Sequence, residues 1–227
     1  MEHLLGAVKF IAAGGIWVIP IIVVGIIGLG VVAERYYVLI RATRANKRTW
    51  DQIQPLLHEG QFDKAREITK DDKSAIAALL NAGLDNEGVA RRRADIELSM
   101  EEMLQTLAPQ FEKRISYLSL FANLATLLGL FGTIVGLIGA FAAVATAAPS
   151  EKSALLSLSI SEAMSCTATG LLTAMPMLTF SLLLNTKAGR MVAALEIAAL
   201  KTVNMIVRAS STARISHIQD YAEKKAS

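Results

Sequence analysis

Residues 153–186 read SALLSLSISEAMSCTATGLLTAMPMLTFSLLLNT, and Glu162 is the single charged residue among these 34. Two further runs carry no charge at all: Phe10–Ala33 has 24 residues and Ile115–Ser150 has 36. A helix needs about 20 predominantly apolar residues to cross a bilayer, and each run exceeds that length. The three runs therefore predict an all-α integral membrane protein with three transmembrane helices.

The composition agrees with this prediction. The chain has 227 residues, of which 53% are hydrophobic and only 19% charged, and its mean hydropathy is +0.43. These values exclude a disordered chain and a fully soluble monomer. At about 1.5 Å per residue the second and third runs span roughly 54 and 51 Å, against a hydrocarbon core of about 30 Å, so we expect them to project beyond the membrane as helices.

The distribution of Lys and Arg predicts the orientation. Thirteen of the 23 fall in residues 41–114 and seven more follow Thr186. Because basic residues beside membrane helices stay in the cytoplasm, both segments are predicted to lie inside and the N-terminus outside. The predicted segments are an amphipathic outer-surface segment (1–9), the first span (10–40), a cytoplasmic helical domain (41–114), the second span (115–147), a periplasmic turn (148–153), the third span (154–186) and a cytoplasmic helical tail (187–227).

Within residues 41–114, helical spacing of apolar residues predicts a small helical domain with a turn at Glu59-Gly60. From Val89 the pattern predicts a helix that runs toward the second span, with a kink at Pro109. The basic cluster Arg91–Arg93 is followed closely by acidic residues and has no aromatic neighbours. It is therefore interpreted as a solvated helix face, and no nucleic acid is expected as a partner.

Glu162 is the residue most indicative of function. Inserting a charged residue at the centre of a membrane helix costs about 2.5–3.5 kcal/mol, and such residues usually mark ion or proton pathways. Polar side chains at offsets that wrap onto the same helical face are candidates to line the pore: Ser159, Ser165, Thr169 and Thr173. The alternative is structural, with Glu162 only locking helices together.

The second run contains glycines at three- and four-residue spacing. They have no preceding strand and no Lys-Ser/Thr ending, which argues against a phosphate-binding loop, whereas small residues let membrane helices approach closely. The residues assigned to helix packing are Gly129, Gly132, Gly136, Gly139 and Pro176. The three histidines have no metal-ligand spacing, and neither a metal, a cofactor nor an enzymatic activity is expected.

Two stretches carry a resemblance to a known family. Leu128–Gly136, LGLFGTIVG, and Ile160–Pro176, ISEAMSCTATGLLTAMP, resemble the paired signature of the MotA/TolQ/ExbB proton-channel family, and the chain is most similar to its three-span ExbB/TolQ branch. The resemblance implies that Glu162, Thr133 and Thr167 form the proton pathway. It also implies a pentamer around two copies of a single-span partner with an intramembrane aspartate, in the bacterial inner membrane.

The chain departs from the family pattern at three places: Thr126 stands for proline, Met175 for isoleucine, and Ser181-Leu182 for a Tyr-Asn pair. Ideal helical geometry also sets Thr167 about 140° from Glu162, so both line one pathway only if it touches a wide arc of the helix or spans a subunit boundary.

The expected function is that of a motor or stator subunit driven by the proton-motive force, working in ExbB/TolQ-like transport or envelope maintenance. Gliding or another motility system is the alternative within the family, and a non-conducting membrane scaffold is the alternative outside it. A free-standing channel or transporter is disfavoured, because a single acid without broken-helix repeats offers little for substrate binding.

Overall fold

The computed structural model describes residues 14–85 and 93–226. The predicted surface segment 1–9 and the residues Arg91 and Arg92 lie outside these ranges. The described chain forms six helices: α1 Val18–His58, α2 Phe62–Asp71, α3 Ala75–Leu84, α4 Arg93–Glu112, α5 Ile115–Thr146 and α6 Lys152–Ala226. The stretches α1, α4–α5 and α6 each contain a window long and apolar enough to cross a membrane. The prediction of an all-α membrane protein with three spans is confirmed.

The chain divides into two compact units. The first unit contains the chain up to Tyr36 together with Arg114–Asn185, and so holds the three apolar runs. The second unit contains Tyr37–Lys113 and the chain from Thr186 onward. Two of the boundaries between the units fall inside helices, because α1 and α6 each continue without interruption from an apolar part into a charged part. The third boundary falls between α4 and α5.

Small residues bring α5 and α6 together in the first unit. A Cβ added at Gly129 would meet the Cα of Thr167 at 3.2 Å, and one added at Gly170 would meet the Ala125 carbonyl oxygen at 2.6 Å. The two backbones are therefore closer than any larger side chain would allow, the packing expected of small residues in membrane helices. α1 packs on this pair through a buried cluster: Val18, Ile21, Ala122, Ala125, Cys166, Ala174 and Met177.

The break between α4 and α5 falls at Arg114, whereas the sequence suggested a kink at Pro109. Pro109 lies inside α4 on its exposed side, where water can bond the carbonyl that a proline leaves without a partner. Arg114 takes the left-handed conformation, with φ 67° and ψ −9°. Its Nη1 donates to Glu34 Oε1 at 2.6 Å, and Arg35 Nη2 donates to the same oxygen at 2.8 Å. This ion pair fixes a backbone conformation that is unfavourable for a non-glycine residue.

The second unit contains the predicted turn at Glu59-Gly60. Gly60 has φ +72°, which ends α1 and lets α2 begin at Phe62. α2 and α3 pack on each other through a fully buried side, and the Thr69 hydroxyl bonds the Asn81 side chain between them. The buried residues of α3 are Ile76, Ala77, Leu79, Leu80, Gly83 and Leu84.

A polar cluster holds the start of α3. Ser74 is the N-cap residue, and its hydroxyl accepts a hydrogen bond from Ala77 N–H. Asp72 accepts from the Thr49 hydroxyl of α1 and, at 2.8 Å, from Ser74 N–H. Burial raises the pKa of the Asp72 carboxyl, but these hydrogen bonds outweigh it, so that its pKa lies below the usual value.

This cluster predicts an acid-sensitive α3. A carboxyl whose pKa is lowered by folding stabilises the fold above its unfolded value of about 3.9, and the stabilisation is lost as pH falls through the lower folded pKa. We expect Asp72→Asn to reduce hydrogen-exchange protection at Ala77 and Ala78 about fivefold at pH 7, the effect of one hydrogen bond of about 1 kcal/mol. The wild-type protein should keep its higher protection at Ala77 and Ala78 until the pH falls low enough to protonate Asp72.

The control is Asp71→Asn, because Asp71 is an exposed neighbour of the same charge. Equal loss of protection in the two variants would mean that net charge, and not the hydrogen bonds of Asp72, stabilises the start of α3.

Candidate functional site

Glu162 lies on the first third of the apolar part of α6, with its side chain exposed in the single chain. It lines a cavity of about 280 Å³ in the first unit. Ser159, one turn earlier on α6, lines the same cavity, and α5 contributes Gly132, Gly136 and Gly139. The acid therefore faces a space bounded mainly by backbone and small side chains.

Gly15 leaves the space that the Glu162 carboxyl group occupies, and Gly132 and Gly136 allow α5 to lie close to α6 beside it. Gly15 has φ +70°, and a Cβ there would overlap Glu162 Oε1. A Cβ at Gly132 would overlap the Cys166 sulfur, and one at Gly136 would lie 3.1 Å from the Ala163 Cβ. A methyl group at Gly15 would force the flexible Glu162 side chain to move, whereas methyl groups at Gly132 and Gly136 would press on Cys166 and Ala163 of α6. The Glu162 carboxyl keeps its position because Gly15 has no side chain.

An aromatic pair closes the cavity on the α1 side. Trp17 lines the cavity and packs edge-to-face on Phe131 of α5, with ring centroids 4.9 Å apart and an interplanar angle of 85°. Such pairs contribute about 0.5–1.5 kcal/mol beyond their buried area. The pair fixes the segment that holds Gly14 and Gly15 against α5.

Thr133 and Thr167 lie together at the α5–α6 interface and do not line this cavity. Their hydroxyl groups bond each other, and Thr167 Oγ1 also lies 3.0 Å from the Gly129 carbonyl oxygen. Thr133 Oγ1 lies 3.1 Å from the carbonyl oxygen of Ala163, the residue after Glu162. The threonine pair therefore bonds the residue next to Glu162 but makes no hydrogen bond to Glu162 itself. Thr167 lies on a different side of α6 from the acid, in agreement with the 140° between them in an ideal helix.

Three of the four candidate pore residues, Ser165, Thr169 and Thr173, do not line the cavity. Ser165 and Thr169 are buried, and Thr169 Oγ1 donates to the Ser165 carbonyl at 2.8 Å. Thr173 likewise donates to the Thr169 carbonyl at 2.9 Å and contacts Gly25 of α1. The Thr169 and Thr173 hydroxyl groups bond their own helix, whereas Ser159 is the candidate that shares the cavity with Glu162.

The glycines assigned to helix packing do not all have the same surroundings. Gly129, Gly132 and Gly136 contact α6, whereas a Cβ at Gly139 would meet nothing within 4 Å. Pro176 is exposed within α6, and the neighbouring Met177 packs against Gly28 of α1.

Sequence reasoning did not assign Gly14, Gly15 and Trp17 to the site. The sequence does contain an indication, the consecutive glycines Gly14 and Gly15 inside an apolar run. Each glycine would destabilise a helix interior by about 1 kcal/mol relative to alanine, so a pair of them suggests that the helix has not yet begun. Gly15 precedes α1 and takes a positive φ, which is why glycine stands there.

The three apolar helical stretches define a multi-pass membrane protein. Its apolar unit contains an ionisable site, where the Glu162 carboxyl group faces a cavity lined by glycines. Residues 71–197, more than half of the chain, match the sequence model of the MotA/TolQ/ExbB proton channel family, and the chain belongs to this family. The matched region contains Glu162, Thr133 and Thr167. A comparison with curated proteins finds no match.

The threonine pair predicts a measurable contribution to helix packing. Thr133→Val keeps the side-chain shape but removes the hydrogen bonds to Ala163 and Thr167, so we expect a loss of about 1 kcal/mol in unfolding free energy. The measurement is thermal or denaturant unfolding of the detergent-solubilised protein.

Thr126→Val is the matched control, because Thr126 is exposed on the same helix and bonds the Ala122 carbonyl four residues earlier. We expect a change of a few tenths of a kcal/mol there. If both variants lost the same stability, the Thr133 hydroxyl would have no role between helices.

Proposed function

We propose that the chain is the proton-conducting subunit of a motor or stator complex in the bacterial inner membrane, driven by the proton-motive force. The observation that carries the proposal is the Glu162 carboxyl in its glycine-walled cavity, within the region that matches the proton-channel family. The complex works in ExbB/TolQ-like transport or envelope maintenance, and not as an enzyme. A motility stator of the same family is the second candidate.

The surroundings of Glu162 support a mobile proton. A cavity of about 280 Å³ has room for several water molecules, each of which occupies roughly 30 Å³ in the liquid. Water in this cavity would give the carboxyl a route for proton exchange. Ile16, which lines the cavity, is 74% exposed, and Leu158, one turn before Glu162 on the same side of α6, is 69% exposed, so the open side of the cavity lies on an apolar surface.

A carboxyl that exchanges protons converts an ion gradient into motion. The acid takes up a proton from the outside, and the neutral form passes an apolar surface at lower cost than the carboxylate. Release toward the cytoplasm restores the charge, and the threonine pair supplies polar groups on the way. The membrane potential contributes about 2.3 kcal/mol per charge per 100 mV, so a few protons suffice for a mechanical step.

The partner follows from the family resemblance. The proposed assembly is a pentamer of this chain around two copies of a single-span protein with an intramembrane aspartate. The second acid would meet Glu162 across the open side of the cavity. Membrane lipid covers the remaining apolar surface.

The first test of this function is Glu162→Gln in the complex reconstituted with its partner. Glutamine keeps the size and polarity of the side chain but cannot exchange a proton. We expect assembly of normal mass and proton flux reduced to the level of protein-free vesicles, measured with a pH-sensitive dye under an imposed potential.

Glu151→Gln, in the exposed turn before α6, is the control and should conduct like wild type. Wild-type flux in Glu162→Gln would exclude Glu162 from the pathway. A less stable complex with unchanged flux would instead favour a structural scaffold.

The second test uses the glycine that faces the acid. In Gly15→Ala the methyl group would occupy the position of Glu162 Oε1, and the positive φ would be strained by about 1 kcal/mol or more. We expect proton flux to fall about tenfold or more while the assembly keeps its mass.

Gly30→Ala is the matched control, since a Cβ at Gly30 meets nothing within 4 Å. Its flux should be unchanged, and its helix should be slightly more stable. Equal flux in the two alanine variants would show that the carboxyl does not need the space at Gly15.

A further inference from the structure

The second unit contains a separate cavity of about 530 Å³ between α1 and α6. Its apolar lining includes Trp50 of α1, Ile76 of α3, and Met191 and Leu195 of α6. This volume is within the range of roughly 300–1,000 Å³ seen for binding sites. An apolar cavity in the charged part of a chain is a candidate binding surface.

Four basic residues line this cavity: Lys47, Lys187, Arg190 and Lys201. No Asp or Glu lines it, and within the described residues Lys47, Arg190 and Lys201 make no ion pair. An apolar floor with a basic rim is complementary to a ligand with an apolar centre and carboxylates around it.

A buried donor without an acceptor also points into this region. Asn46 lines the cavity and is only 8% exposed. Its Oδ1 accepts from Ile76 N–H at 3.2 Å, which orients the side-chain amide, but its Nδ2 has no partner among the described residues. An unsatisfied buried donor costs about 1–3 kcal/mol, so the site is complete only with an added acceptor oxygen.

The complementary surface is on α4 of the same chain. Leu98 is 58% exposed, and Asp95, Glu101 and Glu102 surround it within about 60° on the helix. These three acids make no ion pair within the described residues, whereas the neighbouring Glu97 is bonded by Arg93 at 2.7 Å. We call Asp95, Leu98, Glu101 and Glu102 the acidic face.

The acidic face and the cavity have matching positions along the chain. Glu101 is 14 residues before the apolar run that begins at Ile115. Lys201 is 15 residues beyond the last residue of the third run, and Lys47 is 14 residues beyond the first run. The charged residues of both surfaces therefore lie at similar distances along the chain from an apolar run.

We propose that the cavity binds the acidic face of α4 from a second copy of this chain. Leu98 inserts between Trp50 and Leu195, the carboxylates pair with Arg190 and Lys201, and one of their oxygens accepts from Asn46 Nδ2. The two surfaces differ, so the contact is head-to-tail, and it forms a ring when the rotation between successive copies closes. The inference rests on the proposed homo-oligomer and identifies the surfaces through which its charged parts associate.

The test is a disulfide between two differently tagged full-length copies, co-expressed in membranes with Cys166→Ala to remove the native thiol. One copy carries Leu98→Cys and the other Ala194→Cys, a residue of the cavity wall. We expect an oxidant-dependent, reductant-sensitive dimer on a gel, because a disulfide forms only when the two Cβ atoms come within about 4 Å. Glu67→Cys, exposed on α2, replaces Leu98→Cys in the control and should give no dimer.

Charge reversal tests the complementarity in the same assay. Arg190→Glu with Lys201→Glu on the cavity copy, or Glu101→Lys with Glu102→Lys on the other, should each lower the cross-linked fraction about tenfold or more. Combining both reversals should restore it. Lys64→Glu with Glu67→Lys, on the exposed side of α2, should have no effect.

The outcomes separate this inference from the proposed function. No dimer, or a dimer insensitive to the reversals, in a complex that keeps its oligomeric mass would overturn the inference and leave proton conduction intact. A lipid or soluble anion that co-purifies with the wild type and is lost in the Arg190→Glu, Lys201→Glu variant, with cross-linking unchanged, would also overturn it. Cross-linking that persists in Glu162→Gln with undiminished proton flux would instead refute the proposed function alone.

Discussion

The structure depends on the close approach of α5 and α6, which only residues without large side chains permit. Gly129 and Gly170 bring the two backbones into contact, and Gly132 and Gly136 extend this contact to the level of Glu162. In a bilayer there is no hydrophobic gain from moving apolar side chains out of lipid, so packing and hydrogen bonds must hold such helices together. The same glycines that allow the packing leave the space in which a carboxyl can lie.

The polar groups of the first unit divide into two kinds because of this packing. The Thr133 and Thr167 hydroxyls lie between the helices and bond backbone carbonyls across the interface. Each hydroxyl has one hydrogen to donate and two lone pairs, so the bonded pair retains acceptor capacity. Glu162 has no such partner among the described residues of the interface and faces the cavity instead.

Much of the fold follows from the sequence, because the length of a charge-free run and the need to satisfy backbone groups in lipid leave few choices. Glu162 was predictable for the same reason, as the one charge inside such a run. The break at Arg114 was not, since its left-handed backbone is held by Glu34, 80 residues away in the chain. The place of Gly15 opposite the acid was hidden as well, because it depends on contacts between α1 and α6 that no local pattern encodes.

The exposed position of Glu162 has a consequence for assembly. Its cavity opens on a surface where large side chains such as Ile16 and Leu158 are mostly exposed, and those side chains suit lipid or another apolar helix. A carboxylate left against hydrocarbon would cost about 2.5–3.5 kcal/mol. The second unit has a related deficit at Asn46 Nδ2, which has no hydrogen-bond partner among the described residues. Both units therefore leave polar groups that a neighbouring chain can satisfy, and association would remove both costs together.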